Sequence, residues 1–116
     1  MRFITTTLVM TLFSTLLLAQ ELTTDSRKAA RLYQEATQYF DMRQFDNAIE
    51  KLQEALNKDK NFIEAYLLLA SIYHEKADFE KVRENYLKAV EINPGFYPYT
   101  LYHLAGAELK LGLYNE

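Results

Sequence analysis

Residues 66–94 read YLLLASIYHEKADFEKVRENYLKAVEINP, and residues 32–60, lying 34 positions earlier, read LYQEATQYFDMRQFDNAIEKLQEALNKDK. When the two stretches are superposed, similar side chains fall at the same positions. The matched pairs are Leu32 with Tyr66, Ala36 with Ala70, Tyr39 with Tyr73, Phe45 with Phe79, Ala48 with Val82, Leu52 with Tyr86, Ala55 with Ala89, and Leu56 with Val90. Self-similarity at this period indicates an internal repeat.

The spacing of small and large residues predicts that each repeat is a pair of helices. Ala36 and Ala70 carry small side chains that let two antiparallel helices approach closely. Tyr39 and Tyr73 follow three residues later, where an aromatic ring can fill the space beside the alanine. Each unit is therefore predicted to be a helical hairpin.

Breaks between the predicted helices are marked by polar residues, glycine and proline. We expect loops within the hairpins at 41–44 and 76–78, and loops between hairpins at 58–61 and 93–95. Asp78 is expected to cap the helix that follows it, because its carboxylate can accept a hydrogen bond from a free backbone N–H. The fold class predicted from these features is all-α.

These residues resemble the tetratricopeptide repeat (TPR), whose pattern places aromatic, small and proline residues at fixed offsets. The second unit carries Tyr66, Leu69-Ala70, Tyr73, Phe79, Ala89 and Pro94 at those offsets. The first unit departs from the pattern at Glu35, Leu52 and Lys60. The resemblance implies a right-handed superhelical stack of antiparallel helix hairpins, an α-solenoid of about two and a half repeats.

The unit boundaries follow from the same alignment. We expect a signal peptide at 1–19, an N-terminal lead-in to the first helix at 20–28, TPR 1 at 29–62, TPR 2 at 63–96 and an incomplete TPR 3 at 98–116. The third unit begins one residue late, because Pro94–Pro98 contains an insertion, and Pro98 is expected in its first helical turn. Its apolar face, carrying Leu104 and Leu111, is expected to lack a partner helix.

The first nineteen residues differ in composition from the rest. Arg2 is followed by an apolar run from Phe3 to Ala19, and polar sequence begins at Gln20. This is typical of a secretory signal peptide, with cleavage expected after Ala19. The alternative is an uncleaved membrane anchor, although about 17 residues is short for spanning a bilayer core. We therefore expect an exported product with no membrane insertion after cleavage, located in the periplasm or cell envelope if the source is bacterial.

Composition excludes several function classes. The chain has no cysteine, so disulfides, thiolate metal sites and a cysteine nucleophile are all excluded. The net charge of −3 is spread along the sequence without a basic cluster, so nucleic acid is not an expected partner.

The first helix of each unit is expected to line the concave face of the stack. Three columns of residues result: Tyr33, Leu67 and Tyr102; Thr37, Ser71 and Gly106; and Phe40, His74 and Leu109. Aromatic side chains are the anchors that most often supply binding energy to a peptide or helix in such a groove. The alternative for the first column is simple packing between neighbouring helices.

Catalysis and cofactor binding find no support in the sequence. His74 and His103 lie on different predicted helices, without a partner placed for nucleophilic catalysis. His74-Glu75 lacks the second histidine of a helical zinc motif, and the three glycines do not form a phosphate-binding loop. We expect no enzymatic activity, no cofactor and no metal.

The function that the sequence favours is an exported protein–protein interaction module, a scaffold or adaptor that binds a peptide or helix of another protein. A signal peptide followed directly by such repeats is similar to the N-terminal region of larger cell-envelope proteins with an OmpA-like C-terminal domain. No residue of this chain belongs to such a domain. The alternative is a structural spacer that forms a homo-oligomer through the uncovered last helix.

Overall fold

The structure is a computed structural model that describes residues 21–112. The expected signal peptide and the last four residues of the third unit lie outside the described residues. The described elements are the helices α1 (Arg27–Asp41), α2 (Phe45–Lys58), α3 (Ile63–Glu75), α4 (Phe79–Ile92) and α5 (Thr100–Lys110). Residues 21–112 contain no β-strand, and the all-α prediction is confirmed.

The helices stack in chain order as two hairpins and a further helix. α1 packs against α2, and α3 packs against α4; α2 then contacts α3, and α4 contacts α5. The first helices of units one and two, α1 and α3, also touch. In contrast, no Cα atom of α3 lies within 8 Å of a Cα atom of α5 in the described structure. The third unit therefore packs mainly on α4, and only side chains link α5 to α3.

The hairpin turns repeat the same backbone geometry. After α3, the N–H of Ala77 donates to the carbonyl of His74 at 3.0 Å and that of Asp78 donates to Tyr73 at 2.9 Å. Arg43 and Gln44 make the equivalent bonds after α1. This is the Schellman arrangement, which needs a left-handed residue just past the helix end. Within residues 21–112, a positive φ is found at Arg43 (57°), Ala77 (55°) and Gly112 (73°).

Side-chain caps fix where two of the helices begin. The hydroxyl of Ser26 accepts a hydrogen bond from the N–H of Ala29 at 3.1 Å, so α1 begins at Arg27, inside the segment expected as a lead-in. The carboxylate of Asp78 accepts from the N–H of Lys81 at 3.3 Å, which confirms the predicted cap of α4. Each such cap satisfies one backbone donor that the helix itself leaves free.

Small residues let the helices of the first hairpin approach closely, as predicted. The alanines at this contact are fully buried: Ala29, Ala36, Ala48 and Ala55. Larger buried side chains such as Leu52, Phe62 and Ile72 belong to the same cluster, and the ring of Tyr39 packs against it. A second cluster joins α3, α4 and α5 through Ala70, Val82, Tyr86, Leu104 and Ala107. A continuous apolar interior therefore runs along the stack.

Two expectations about the third unit are wrong. Leu104 is only 8% exposed and packs in the second cluster, so it does not belong to an uncovered face. Leu111 is half-buried, whereas Leu101, one helical turn before Leu104, is 54% exposed. Pro98 also lies outside the first helical turn, since α5 begins at Thr100 with Tyr99 as its N-cap. Proline disfavours helical geometry in the residue before it, and the chain instead passes through a turn in which the N–H of Thr100 donates to the carbonyl of Tyr97 at 2.9 Å.

The segment that precedes α1 is docked on the repeats. Leu22 packs against the first cluster. The Thr23 hydroxyl accepts from the N–H of Ile63 at 3.3 Å, at the start of α3, and donates to the carboxylate of Glu64. The N–H of Thr23 donates to the same carboxylate at 2.9 Å. This segment therefore ties α1 to α3. Among residues 21–112, no helix is long and apolar enough to cross a bilayer.

Candidate partner-binding groove

A groove runs across the faces of α1, α3 and α5, and it has two adjoining parts. The first part, the α1–α3 cavity, has a volume of about 530 Å³. Five of the eight residues expected to bind a partner line it. These are Tyr33, Phe40, Leu67, Ser71 and His74. The structure therefore brings together, on one surface, residues that the sequence places on two different helices.

The second part, the α3–α5 cleft, has a volume of about 400 Å³. Two further expected residues, Tyr102 and Leu109, line it together with Gly106, and His74 reaches it as well. Its apolar floor consists of Phe79, Val82 and Ala107, with Lys110 at its edge. Tyr102 is 74% exposed and Leu109 64% exposed, so both side chains are open to solvent.

Thr37 is the one expected site residue that lines neither part of the groove. Its hydroxyl donates to the carbonyl of Tyr33 at 3.0 Å, one turn earlier in α1. The hydroxyl of Ser71 likewise donates to the carbonyl of Leu67 at 3.1 Å. Both hydroxyl protons are thus committed to the backbone of their own helix. Within the groove, Ser71 therefore offers a partner a hydroxyl acceptor rather than a donor.

An aromatic cluster divides the two parts of the groove. The ring of His103 stacks with that of Tyr86, with centroids 5.6 Å apart and planes 11° apart. It also stacks with the ring of Tyr97 at 6.4 Å and 6°. His74, Tyr86 and His103 line both parts, so the α1–α3 cavity and the α3–α5 cleft are neighbours across these side chains.

The sequence did not predict Tyr86 and Tyr97 as groove residues. Tyr86 occupies a position where the repeat pattern expects a buried phenylalanine, and its ring is indeed almost fully buried. It reaches the groove because α5 stands away from α3, which opens a gap above α4. Tyr97 belongs to the insertion at Pro94–Pro98. The extra residue was a signal that this loop differs, but it did not show where the ring would lie.

The α1–α3 cavity has an acidic lining. Its charged residues are Glu64 and Glu75, and no lysine or arginine lines it. Glu75 lies 3.5 Å from the guanidinium of Arg43, in an exposed ion pair. Burial raises the pKa of the Tyr33 phenol, and the negative charge of Glu64 raises it further. Burial likewise raises the pKa of Tyr86, with a smaller contribution from Tyr97.

The groove is lined mainly by aromatic rings and aliphatic side chains. Residues 21–112 contain no group of three or more His, Asp or Glu side chains placed to hold a metal ion. His74 packs edge-on against Phe79 and His103 stacks on tyrosines, so both imidazoles lie among aromatic rings. A concave surface of rings, aliphatic side chains and a few charges suits a polypeptide ligand.

Stacked helical hairpins with a groove along their first helices define a helical-repeat protein. Comparison with protein families then identifies the repeat. A family described as TPR repeat matches residues 36–77, and one described as Tetratricopeptide repeat matches residues 63–96. Together they span residues 36–96, more than half of the chain, and the chain belongs to the tetratricopeptide-repeat family. No curated protein matches it significantly.

Membership of this family confirms the resemblance predicted from the sequence. Tetratricopeptide repeats are protein–protein interaction modules and are typically non-catalytic. The third unit lies beyond the matched residues, and its assignment comes from α5 and from the turn at Gly112. That turn repeats the positive φ of the first two hairpins.

Proposed function

We propose that this chain is an exported scaffold or adaptor that binds a peptide or helix of another protein in the groove formed by α1, α3 and α5. The observation that carries the proposal is the continuity of that groove, whose two parts share His74, Tyr86 and His103. Half-buried rings such as Tyr33 and Phe40 can anchor a partner with little loss of side-chain entropy.

Binding through the groove can be tested with two alanine variants of the purified protein. His74→Ala removes an exposed side chain that contacts both parts of the groove, so we expect partner binding to weaken about tenfold or more. Gln53→Ala removes an exposed side chain of α2 that lines neither part, and it serves as the control. The ligand is identified beforehand: a cross-linking residue in place of Leu67, which lines the α1–α3 cavity, captures the partner in the host. Equal binding by both variants would place recognition elsewhere.

Export is the second element of the proposal, and the sequence of residues 1–19 supports it. We further propose that the repeats belong to a larger cell-envelope protein, in the periplasm if the source is bacterial. The intact mass of the protein recovered from the host tests both export and membership of a larger protein. A mass that starts at Gln20 supports cleavage, and a mass larger than the 13.6 kDa of the sequence supports a longer protein. A cell-associated product that retains Met1 contradicts export.

Self-association is a second candidate function, favoured by the exposed apolar side chains of α5. Leu101, Tyr102 and Leu109 are each more than half exposed, and Leu101 lines neither part of the groove. Leu101→Glu therefore perturbs self-association without touching the groove, whereas Leu104 is buried and unsuitable as a probe. If Leu101→Glu converts a dimer to a monomer and abolishes partner capture as well, assembly rather than the groove carries the function.

A further inference from the structure

We infer that the groove takes a polypeptide segment carrying a Lys or Arg beside Glu64 and Tyr33 and a large apolar side chain in the α3–α5 cleft. This inference rests on the proposed function and specifies the chemistry of the partner. Its first support is charge. Two carboxylates and no lysine or arginine line the α1–α3 cavity. Glu75 is paired with Arg43, which lies outside the lining, so Glu64 is the carboxylate that favours a basic partner and disfavours an acidic one.

Glu64 keeps its negative charge available to a ligand. Its carboxylate accepts hydrogen bonds from the N–H and the hydroxyl of Thr23, which are neutral donors. It takes part in none of the ion pairs found among residues 21–112. A carboxylate has about four acceptor sites, so two remain after Thr23 is bound. A cation placed there would also lie near the half-buried ring of Tyr33, which favours it further.

The α3–α5 cleft supplies the apolar subsite. Its volume of about 400 Å³ is sufficient for a large side chain, and its floor is made by Val82, Phe79 and Ala107. The cleft exists because α5 stands clear of α3. A Cβ built on Gly106 would meet no atom within 4 Å, so the mouth of the cleft is open. Filling it would remove apolar surface from water on both sides.

The two subsites lie at different heights along α3 as well as on different sides of it, and this sets their spacing. Glu64 is in the first turn of α3, whereas His74, which lines the cleft, is in its last turn, about 15 Å further along the axis at about 1.5 Å per residue. The cleft is also displaced sideways by one interhelical distance of about 8–10 Å, so an extended chain covers the separation of about 17 Å in about five residues at about 3.3 Å each. Tyr86 and His103 line both parts of the groove and can pack against the intervening residues. The ligand is therefore an extended segment with its basic and apolar residues about five positions apart.

Selection from a library of random twelve-residue peptides by the purified full-length protein tests the inference. We expect the selected peptides to be enriched in Lys or Arg about five positions from Phe, Leu or Met. One such peptide is then synthesised, and its affinity is measured by fluorescence anisotropy at low and high salt. Glu64→Gln keeps a hydrogen-bond acceptor for Thr23 but removes the charge, and it should weaken binding about five- to tenfold.

Two further variants show whether changes in affinity come from the two subsites or from a general change in charge or stability. Glu50→Gln makes the same change on an exposed position of α2 outside the groove, and it should leave the affinity unchanged. Gly106→Leu fills the mouth of the cleft while improving helix propensity, so it should weaken binding more than tenfold without lowering the melting temperature.

The outcomes distinguish this inference from the proposed function on which it rests. Basic and apolar peptides whose binding falls with Glu64→Gln and Gly106→Leu support both. Peptides that lack Lys and Arg, or binding unchanged by Glu64→Gln, overturn the inference but leave the groove as a binding site if His74→Ala still weakens the interaction. Failure to select any peptide, or selection of peptides insensitive to every groove variant, overturns both.

Discussion

Ala77→Gly is expected to stabilise the protein, although it removes a methyl group. Ala77 follows α3 as the left-handed residue of a Schellman turn, with φ at 55°. Its side chain is exposed and takes no part in either apolar cluster. An L-residue in this conformation costs roughly 1–2 kcal/mol, because its Cβ crowds the backbone.

The size of the effect follows from two opposing terms. Glycine relieves the left-handed strain but loses about 0.5–1 kcal/mol more backbone entropy on folding than alanine does. The midpoints of these two ranges differ by about 0.75 kcal/mol, which is the expected gain in the free energy of unfolding. For a domain of this size, that corresponds to a rise of about 3–6 °C in the melting temperature.

Urea denaturation followed by circular dichroism measures this gain. Ala30→Gly makes the same chemical change within α1, where glycine should cost about 1 kcal/mol, so the two variants should differ in sign. Gly112→Ala gives the reciprocal change at the third turn, where a Cβ meets no atom within 4 Å and only backbone strain should lower stability. If Ala77→Gly destabilises the protein as Ala30→Gly does, the proposed turn geometry is refuted.

Other predictions concern the core, a cap and alkaline pH. Leu52→Ala should lower the free energy of unfolding by about 3–5 kcal/mol, since Leu52 is fully buried. Leu109→Ala, at an exposed position, should change it by less than about 0.5 kcal/mol. Equal effects of the two variants in urea titrations would contradict the packing. Asp78→Ala should lower the free energy of unfolding by about 1 kcal/mol, because the hydrogen bond that caps α4 is lost. A thermal melt identical to that of the wild type would show that the cap does not stabilise the protein. Because burial raises the pKa of the Tyr33 and Tyr86 phenols, the unfolded chain loses these protons first, near pH 10. The contribution of these two phenols to the free energy of unfolding should therefore be fully present below about pH 9 and be lost above about pH 10. The dependence on pH should be weaker when both tyrosines are changed to phenylalanine. A free energy of unfolding that stays constant up to about pH 11 would contradict this linkage.

The hairpins could be predicted from sequence because their determinants are local and repeated. Ala36 and Ala70 mark where helices approach, and Asp78 marks a helix start. The left-handed turns were less visible, because Arg43 and Ala77 stand where glycine would be the usual signal. Only Gly112 carries that signal, and the equivalence of the three turns became evident from their dihedral angles.

The groove was predicted in outline but not in detail. Residues that repeat along the first helices, such as Tyr33, Leu67 and His74, do line it. Tyr86 and Tyr97 were missed because their place in the lining of the groove depends on the distance between α3 and α5, which no local pattern encodes. Leu104 was assigned to the wrong face for a related reason: the rotation of α5 about its axis depends on its packing against α4.

Among residues 21–112, α5 has only α4 beside it at backbone distance, whereas α4 is packed between α3 and α5. α5 can therefore detach without separating any other pair of helices, and its amide hydrogens should exchange with solvent sooner than those of α4. When α5 detaches, the α3–α5 cleft loses one wall, and the α1–α3 cavity loses the part of its lining that His103 supplies. Opening of this one helix would release whatever the cleft holds while α1 to α4 stay packed.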